Sequence, residues 1–227
     1  MPKKALEKII DQAEQKLELL KELGINFFPR EKVDPIFRKR MLALKRLREE
    51  IGDCQRCGLA KTRNSIVFGE GDPSAEIVLV GEAPGEKEDL SGKPFVGPAG
   101  KLLTDIIELG MRMPRSKVYI CNVVKCRPPE NRDPKKEEIT ACQGFLRKQL
   151  EIVKPRVIIA LGKHSAQWLL GKERPISELR GKWGEYNGIM VMPTYHPAYL
   201  LYNRAGKREV WMDIKKVIQY LKKGEMG

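Results

Sequence analysis

The chain has 227 residues, 41% of them hydrophobic, which suits one α/β domain with a modest extension and excludes disorder as the default. No apolar run approaches the roughly 18 residues of a membrane span, and the charged start lacks a signal-peptide core, so a cytoplasmic protein with no membrane association is expected. The net charge of +13 points to a polyanionic partner, nucleic acid before a membrane surface; a charged fraction of 32% also suits a thermophile, but heat adaptation adds both signs and does not explain the excess.

In chain order, Leu6, Ile9, Ala13, Leu17 and Leu20 recur at a helical period that stops at Gly24. A second helix is predicted from Asp34 as N-cap and Pro35 in its first turn. It repeats Phe37, Met41, Leu44, Leu47 and Ile51 and ends at Gly52. The apolar connector between them, Ile25–Pro29, is read as packing on the main domain. A protein partner for residues 1–33 through Phe27 and Phe28 is the minority reading.

From residue 76 the pattern changes. Four short apolar runs, Glu76–Val80, Val118–Val124, Arg156–Leu161 and Met190–Pro193, read as buried strands. Helices are predicted near 100–110, 135–152, 163–170 and 207–222. Alternation of this kind implies a three-layer α/β fold, a four-stranded mainly parallel sheet flanked by helices, with an N-terminal helical extension. Ligands of such sheets sit beyond the carboxyl ends of the strands. Three loops fall there: Gly81–Gly85, Lys125–Pro129 and Thr194–Pro197.

Five cysteines in a cytoplasmic chain argue against a disulfide framework. Cys54 and Cys57 form a C-x2-C pair, Cys126 follows the second strand, and Cys142 lies on the next helix. Four thiolates suit zinc or an iron–sulfur cluster, and spacing alone leaves both open. Cys121, inside a strand, reads as a small core residue.

Several pieces then line up: Cys54-x2-Cys57 with Lys61-Thr62-Arg63, the loop Gly81 to Asp89, Gly92-Lys93-Pro94-Phe95-Val96-Gly97, Asn122 to Pro129, and His196-Pro197-Ala198-Tyr199-Leu200-Leu201. In this order they make residues 41–222 resemble the thermostable, iron–sulfur (family 4) uracil-DNA glycosylases. The likeness implies a uracil-DNA glycosylase-like fold over 34–227 with residues 1–33 outside it. It also implies a structural 4Fe-4S cluster on Cys54, Cys57, Cys126 and Cys142.

The same likeness implies uracil-containing single- or double-stranded DNA as partner and a monomeric enzyme that hydrolyses the N-glycosidic bond of deoxyuridine. No lysine nucleophile is indicated, so no strand-cleaving step is expected. A base inside a duplex must be extruded into a pocket before chemistry. Phe95 offers a ring on which uracil can stack, against the plain reading of a core aromatic. Asn122, at a buried strand end, can accept from uracil N3–H and donate to O4, against a structural, backbone-bonded Asn. His196 can stabilise charge developing on O2; His164, at a helix start, reads as structural. Where the best-known uracil glycosylases carry an Asp, Ala83 stands here, so Glu82 is put forward to hold the water.

Gly81 and Ala83 complete the first loop of the substrate site, and Gly85 replaces the tyrosine that elsewhere bars thymine's methyl group. In the resembling family a later loop carboxylate fills that gap and maps to Glu88, although Glu86, Glu88 and Asp89 also read as surface charges. Leu200 is expected to wedge into the base stack. Arg127, Arg132, Lys163, Arg204 and Lys207 are candidates for phosphate contacts. The competing functions are a non-catalytic, metal-stabilised DNA-binding module and an electron-transfer protein.

Overall fold

The structure, a computed structural model, describes residues 12, 15–16, 18–22 and 34–223. The chain divides into two units, 1–35 and 36–227. In the first, every described position from 12 to 22 is helical, and all but Leu20 are exposed. Leu6, Ile9, Ala13 and Leu17 of the predicted stripe, and the connector with Phe27 and Phe28, lie outside the described residues.

Helix α1 (Pro35–Ile51) buries Leu44, Leu47 and Ile51. Met41 of the same predicted stripe is exposed, so the apolar face is narrower than the spacing suggests. Six strands follow among the described residues: β1 (Glu70–Gly71), β2 (Ile77–Gly81), β3 (Tyr119–Asn122), β4 (Val157–Leu161), β5 (Gly184–Tyr186) and β6 (Ile189–Thr194). Their order in the sheet is β1-β3-β2-β4-β6-β5.

The central four strands are parallel and correspond to the four apolar runs read from the sequence. The two outer strands are antiparallel additions, which corrects the strand count from four to six. At two and three residues, partly exposed, β1 and β5 carry no apolar run.

Strand β2 is buried at all five positions. Because side chains alternate across a pleated sheet, Val78 and Val80 enter one layer and Ile77 and Leu79 the other. The first layer is completed by α1, α4 (Lys136–Val153) and α5 (Lys163–Leu170). The second is completed by α3 (Pro98–Asp105), α7 (Pro197–Tyr202) and α8 (Gly206–Lys223). Each buried Val, Ile or Leu contributes roughly 1.5–3 kcal/mol, so this double-sided burial dominates the stability of the unit. Two short helices, α2 (Glu86–Ser91) and α6 (Ile176–Leu179), are also present among the described residues. Among the described residues no helix is long and apolar enough to cross a membrane.

The register sets the site. Gly81 pairs with Asn122 across β2 and β3, and the backbone continues the pairing where Val123 N donates to Gly81 O (3.0 Å) and Val124 N to Glu82 O (3.0 Å). On the far side Gly162 N donates to Thr194 O (2.9 Å), just past the ends of β4 and β6. The carboxyl ends of all four parallel strands therefore open on one side of the sheet.

Candidate active site

A cavity of about 470 Å³ lies there, lined among others by Glu82, Glu88, Phe95, Asn122, His196 and Tyr202. Three of the loops singled out in the sequence contribute to it. Another cavity, about 350 Å³ between α4 and the β5–β6 turn, gathers no comparable set of convergent groups.

Phe95 is buried and adopts a left-handed backbone, φ 53°. For an aromatic residue this conformation costs about 1–3 kcal/mol and needs the surroundings to impose it. They do. Glu88 Oε1 accepts from the N–H groups of Val96 and Gly97, both at 2.8 Å, and Arg115 Nη2 donates to Pro94 O at 2.8 Å. The ring packs tilted against His196, with centroids 5.6 Å apart.

Asn122 is 1% exposed, and its Oδ1 is buried with no hydrogen-bond partner among the described residues. An orphaned buried oxygen costs roughly 1–3 kcal/mol, and native proteins rarely leave one without a use. This is the opposite of the structural reading, in which the side chain is satisfied by backbone. Gly81 explains how the space is kept: a Cβ there would overlap Asn122 Oδ1 and stand 2.7 Å from Phe95 Cζ.

His196 caps α7, its Nδ1 accepting from Ala198 N at 3.2 Å. With Nδ1 as acceptor, Nε2 carries the proton and is a donor. Burial lowers the pKa to about 4, against a smaller opposing pull from Glu88, so the ring is neutral at neutral pH. Glu82, partly buried, has its pKa raised, first by burial and then by the charge of Asp133; His164 and Lys163 oppose the shift.

The acidic run after Gly85 is mostly not a surface feature. Asp89 is fully buried and accepts from Asn64 N, Asn64 Nδ2 and Ser65 N, while Glu88 fixes the Phe95 loop; Glu86 alone of the three is exposed. A Cβ at Gly85 would lie 2.8 Å from Glu88 Oε2, so that carboxylate occupies the space a side chain at 85 would fill. Ala83 lines the cavity as expected for its loop.

Leu200 requires a correction. It is 1% exposed, packed in the core layer with Phe95 and Leu103, and cannot enter a base stack. On the same helix Leu201 is 42% and Tyr202 92% exposed, and both line the cavity. Arg132 is likewise engaged, forked onto the buried Glu138 at 2.6 and 2.9 Å, and Arg127 Nε donates to Asn131 Oδ1 at 2.9 Å. Lys163, Arg204 and Lys207 are exposed.

One polar group inaccessible to sequence reasoning lies beneath the cavity. Lys125 is fully buried, and its Nζ donates to Asn122 O (2.7 Å) and Gln149 Oε1 (2.6 Å). Gln149 Nε2 in turn donates to Phe68 O (2.8 Å) and Tyr119 Oη (2.9 Å). This network anchors the end of β3 to α4.

The same stretch leads into the cysteines. Cys126 lies within electrostatic reach of Cys57 and Cys142, and Cys142 within reach of Cys54 and Cys57; Cys121 sits apart in the core of β3. Burial pushes the Cys126 thiol up to about 11, so ionisation at neutral pH needs a cation to drive it. Lys125 N–H donates to Cys142 Sγ at 3.3 Å and Arg63 Nη1 to Cys126 Sγ at 3.6 Å. Cysteines coupled in this way, with N–H donors aimed at two of the sulfurs, suit thiolate ligation of a metal centre.

The fold and cavity together define an α/β protein with a ligand-sized cavity at the carboxyl edge of its parallel strands. Residues 68–220 match the family model of the uracil DNA glycosylase superfamily. The chain is similar to the type-4 uracil-DNA glycosylase of Sulfurisphaera tokodaii, 46% identical over 78% of this chain and 84% of that protein. It is also 47% identical to that of Saccharolobus solfataricus over 76% of this chain and 84% of the relative. For the Thermotoga maritima protein the values are 48%, 77% and 93%. The chain belongs to the type-4 uracil-DNA glycosylases of that superfamily.

Proposed function

We propose that the protein hydrolyses the N-glycosidic bond of deoxyuridine in single- or double-stranded DNA, releasing uracil and leaving an abasic site that starts base-excision repair. The observation that carries this reading is the unpartnered Asn122 Oδ1 at the floor of the cavity. With the base extruded onto the Phe95 ring, Oδ1 accepts from uracil N3–H and the amide donates to O4. Cytosine presents the reverse pattern at both positions and would leave buried groups unmatched, at roughly 1–3 kcal/mol each. Glu88, beside Gly85, takes the role of excluding thymine's methyl group.

His196 Nε2–H donates to O2, where negative charge grows as the N1–C1′ bond breaks. A neutral donor suits this task and matches the lowered pKa. Glu82 holds a water whose oxygen forms the new bond to C1′. The water's proton passes to the carboxylate, the N1–C1′ electron pair leaves with uracil, and uracil is protonated on release. Leu201 and Tyr202, exposed on the helix that buries Leu200, would fill the vacated stack in its stead.

Cys54, Cys57, Cys126 and Cys142 would hold a 4Fe-4S cluster. When bound it supplies no step of the hydrolysis and acts as a cross-link between the loop after α1, the end of β3 and α4. The catalytic domain is assigned to residues 34–227, acting as a monomer, with residues 1–33 as an extension outside it.

The test is release of free base from matched oligonucleotides carrying uracil, cytosine or thymine, single- and double-stranded. Release confined to uracil is expected. DNA binding with no release from any of them would leave a non-catalytic binding module.

A further inference from the structure

The turn after β4 supports both sides of the cavity. Gly162, at φ 92°, lets the chain pass beneath the imidazole of His196; a Cβ there would stand 3.1 Å from His196 Cβ. Two residues on, His164 lies in the first turn of α5 with its side chain 17% exposed. Its Nε2 bonds Asp133 Oδ2 at 2.8 Å, and the same nitrogen is 3.9 Å from Glu82 Oε2. Glu82 lines the cavity, whereas His164 and the solvent-exposed Asp133 do not.

The arrangement has a direction. Asp133 accepts the Nε2–H and so fixes the plane of the ring, and the ring then faces the Glu82 carboxylate. At 3.9 Å this second contact is electrostatic rather than a hydrogen bond. The three ligand atoms also lie within 4.8 Å of one another, but a protonated Nε2 bonded to Asp133 offers no lone pair to a cation.

We propose that His164, oriented by its hydrogen bond to Asp133, is a positioning residue whose ring edge, 3.9 Å from the Glu82 carboxylate, supports the negative charge with which Glu82 holds the attacking water. This rests on the assignment of Glu82 to that water. The groups that face Glu82 are His164 and Lys163, which favour its charged form, and Asp133, which opposes it along with burial. Removing the imidazole leaves burial and Asp133 unopposed except by Lys163. Removing the Asp133 charge does the reverse while an amide oxygen can still hold the ring.

Single-turnover rates of uracil release against pH, with melting temperatures alongside, test this in the full chain. His164→Asn should move the acid limb of the profile to higher pH, with a loss of about tenfold below neutrality that recovers toward the wild-type plateau in alkali. Asp133→Asn should move the limb the other way. A uniform loss at every pH in His164→Asn, or limbs that stay at the wild-type position in both variants, would overturn the proposal. Should His164→Asn fail to fold, the direction of the Asp133→Asn shift decides alone. Glu82→Gln separates the premise: a wild-type rate there removes Glu82 from the water and the proposal with it. An inactive Glu82→Gln with unmoved limbs in the other two variants rejects only the role of His164.

Discussion

Asn122 and Lys125 stand three residues apart at the end of β3, both buried, and their polar groups are treated in opposite ways. The Lys125 side-chain nitrogen is closed into a network with Asn122 O and Gln149 Oε1, and Gln149 passes the anchoring on to Phe68 and Tyr119. The side-chain oxygen of Asn122 is left open toward the cavity. A buried polar group that is satisfied belongs to the architecture, whereas one held unsatisfied on a rigid strand is poised for a ligand. The contrast predicts that the two regions fail differently when changed.

The largest effect is expected at Asn122 itself. Asn122→Asp keeps the shape but sets an ionised carboxylate against uracil O4, which costs more than the roughly 1–3 kcal/mol of an unmatched neutral pair. Single-turnover uracil excision should fall roughly a hundredfold or more. Should the cavity keep that carboxyl protonated, weak cytosine excision that grows at low pH is the signature to look for.

Gln149→Leu breaks the closed network instead, leaving Lys125 Nζ, Phe68 O and Tyr119 Oη short of a partner. A loss of about 3 kcal/mol is expected, lowering the melting temperature by about 6–12 °C in a unit of this size. Below the transition the excision rate should change far less than in Asn122→Asp.

His196 connects cavity and stability through pH. Its folded pKa is depressed to about 4 from 6.5, so between those values the unfolded chain holds a proton that the folded chain lacks. Stability therefore falls as pH drops through that window, by up to about 3 kcal/mol. Urea midpoints of wild type and His196→Gln at pH 7 and 4.5 should show the smaller acid loss in the variant. A smaller effect again is expected from Gly81→Ala, whose methyl must push Asn122 and Phe95 apart. Roughly tenfold slower excision, about 1.4 kcal/mol, with little change in DNA binding would place Gly81 in the cavity wall.

Much of this could be read before the structure. The four parallel strands and three converging loops follow from buried runs and their Pro- and Gly-rich exits, because a strand covered on both faces leaves an unbroken apolar signature. Strands β1 and β5 left none, being two and three residues long and half exposed. Leu200 was misplaced because distance from His196 along the chain does not say which face of a six-residue helix meets the core. The contacts of His164 with Asp133 and Glu82 span long stretches of sequence, so only the fold reveals them. Asp89 looked like a surface acid among acids, and only the fold brings Asn64 and Ser65 to it.

The most direct measurement takes Asn122→Ala through both a thermal melt and a single-turnover uracil-release assay. Removing an unpartnered buried oxygen should leave the melting temperature at or above that of wild type while release falls by orders of magnitude. A clear drop in melting temperature, with release close to the wild-type rate, would contradict the account: Asn122 would then be a structural group like Lys125, and uracil would be read elsewhere.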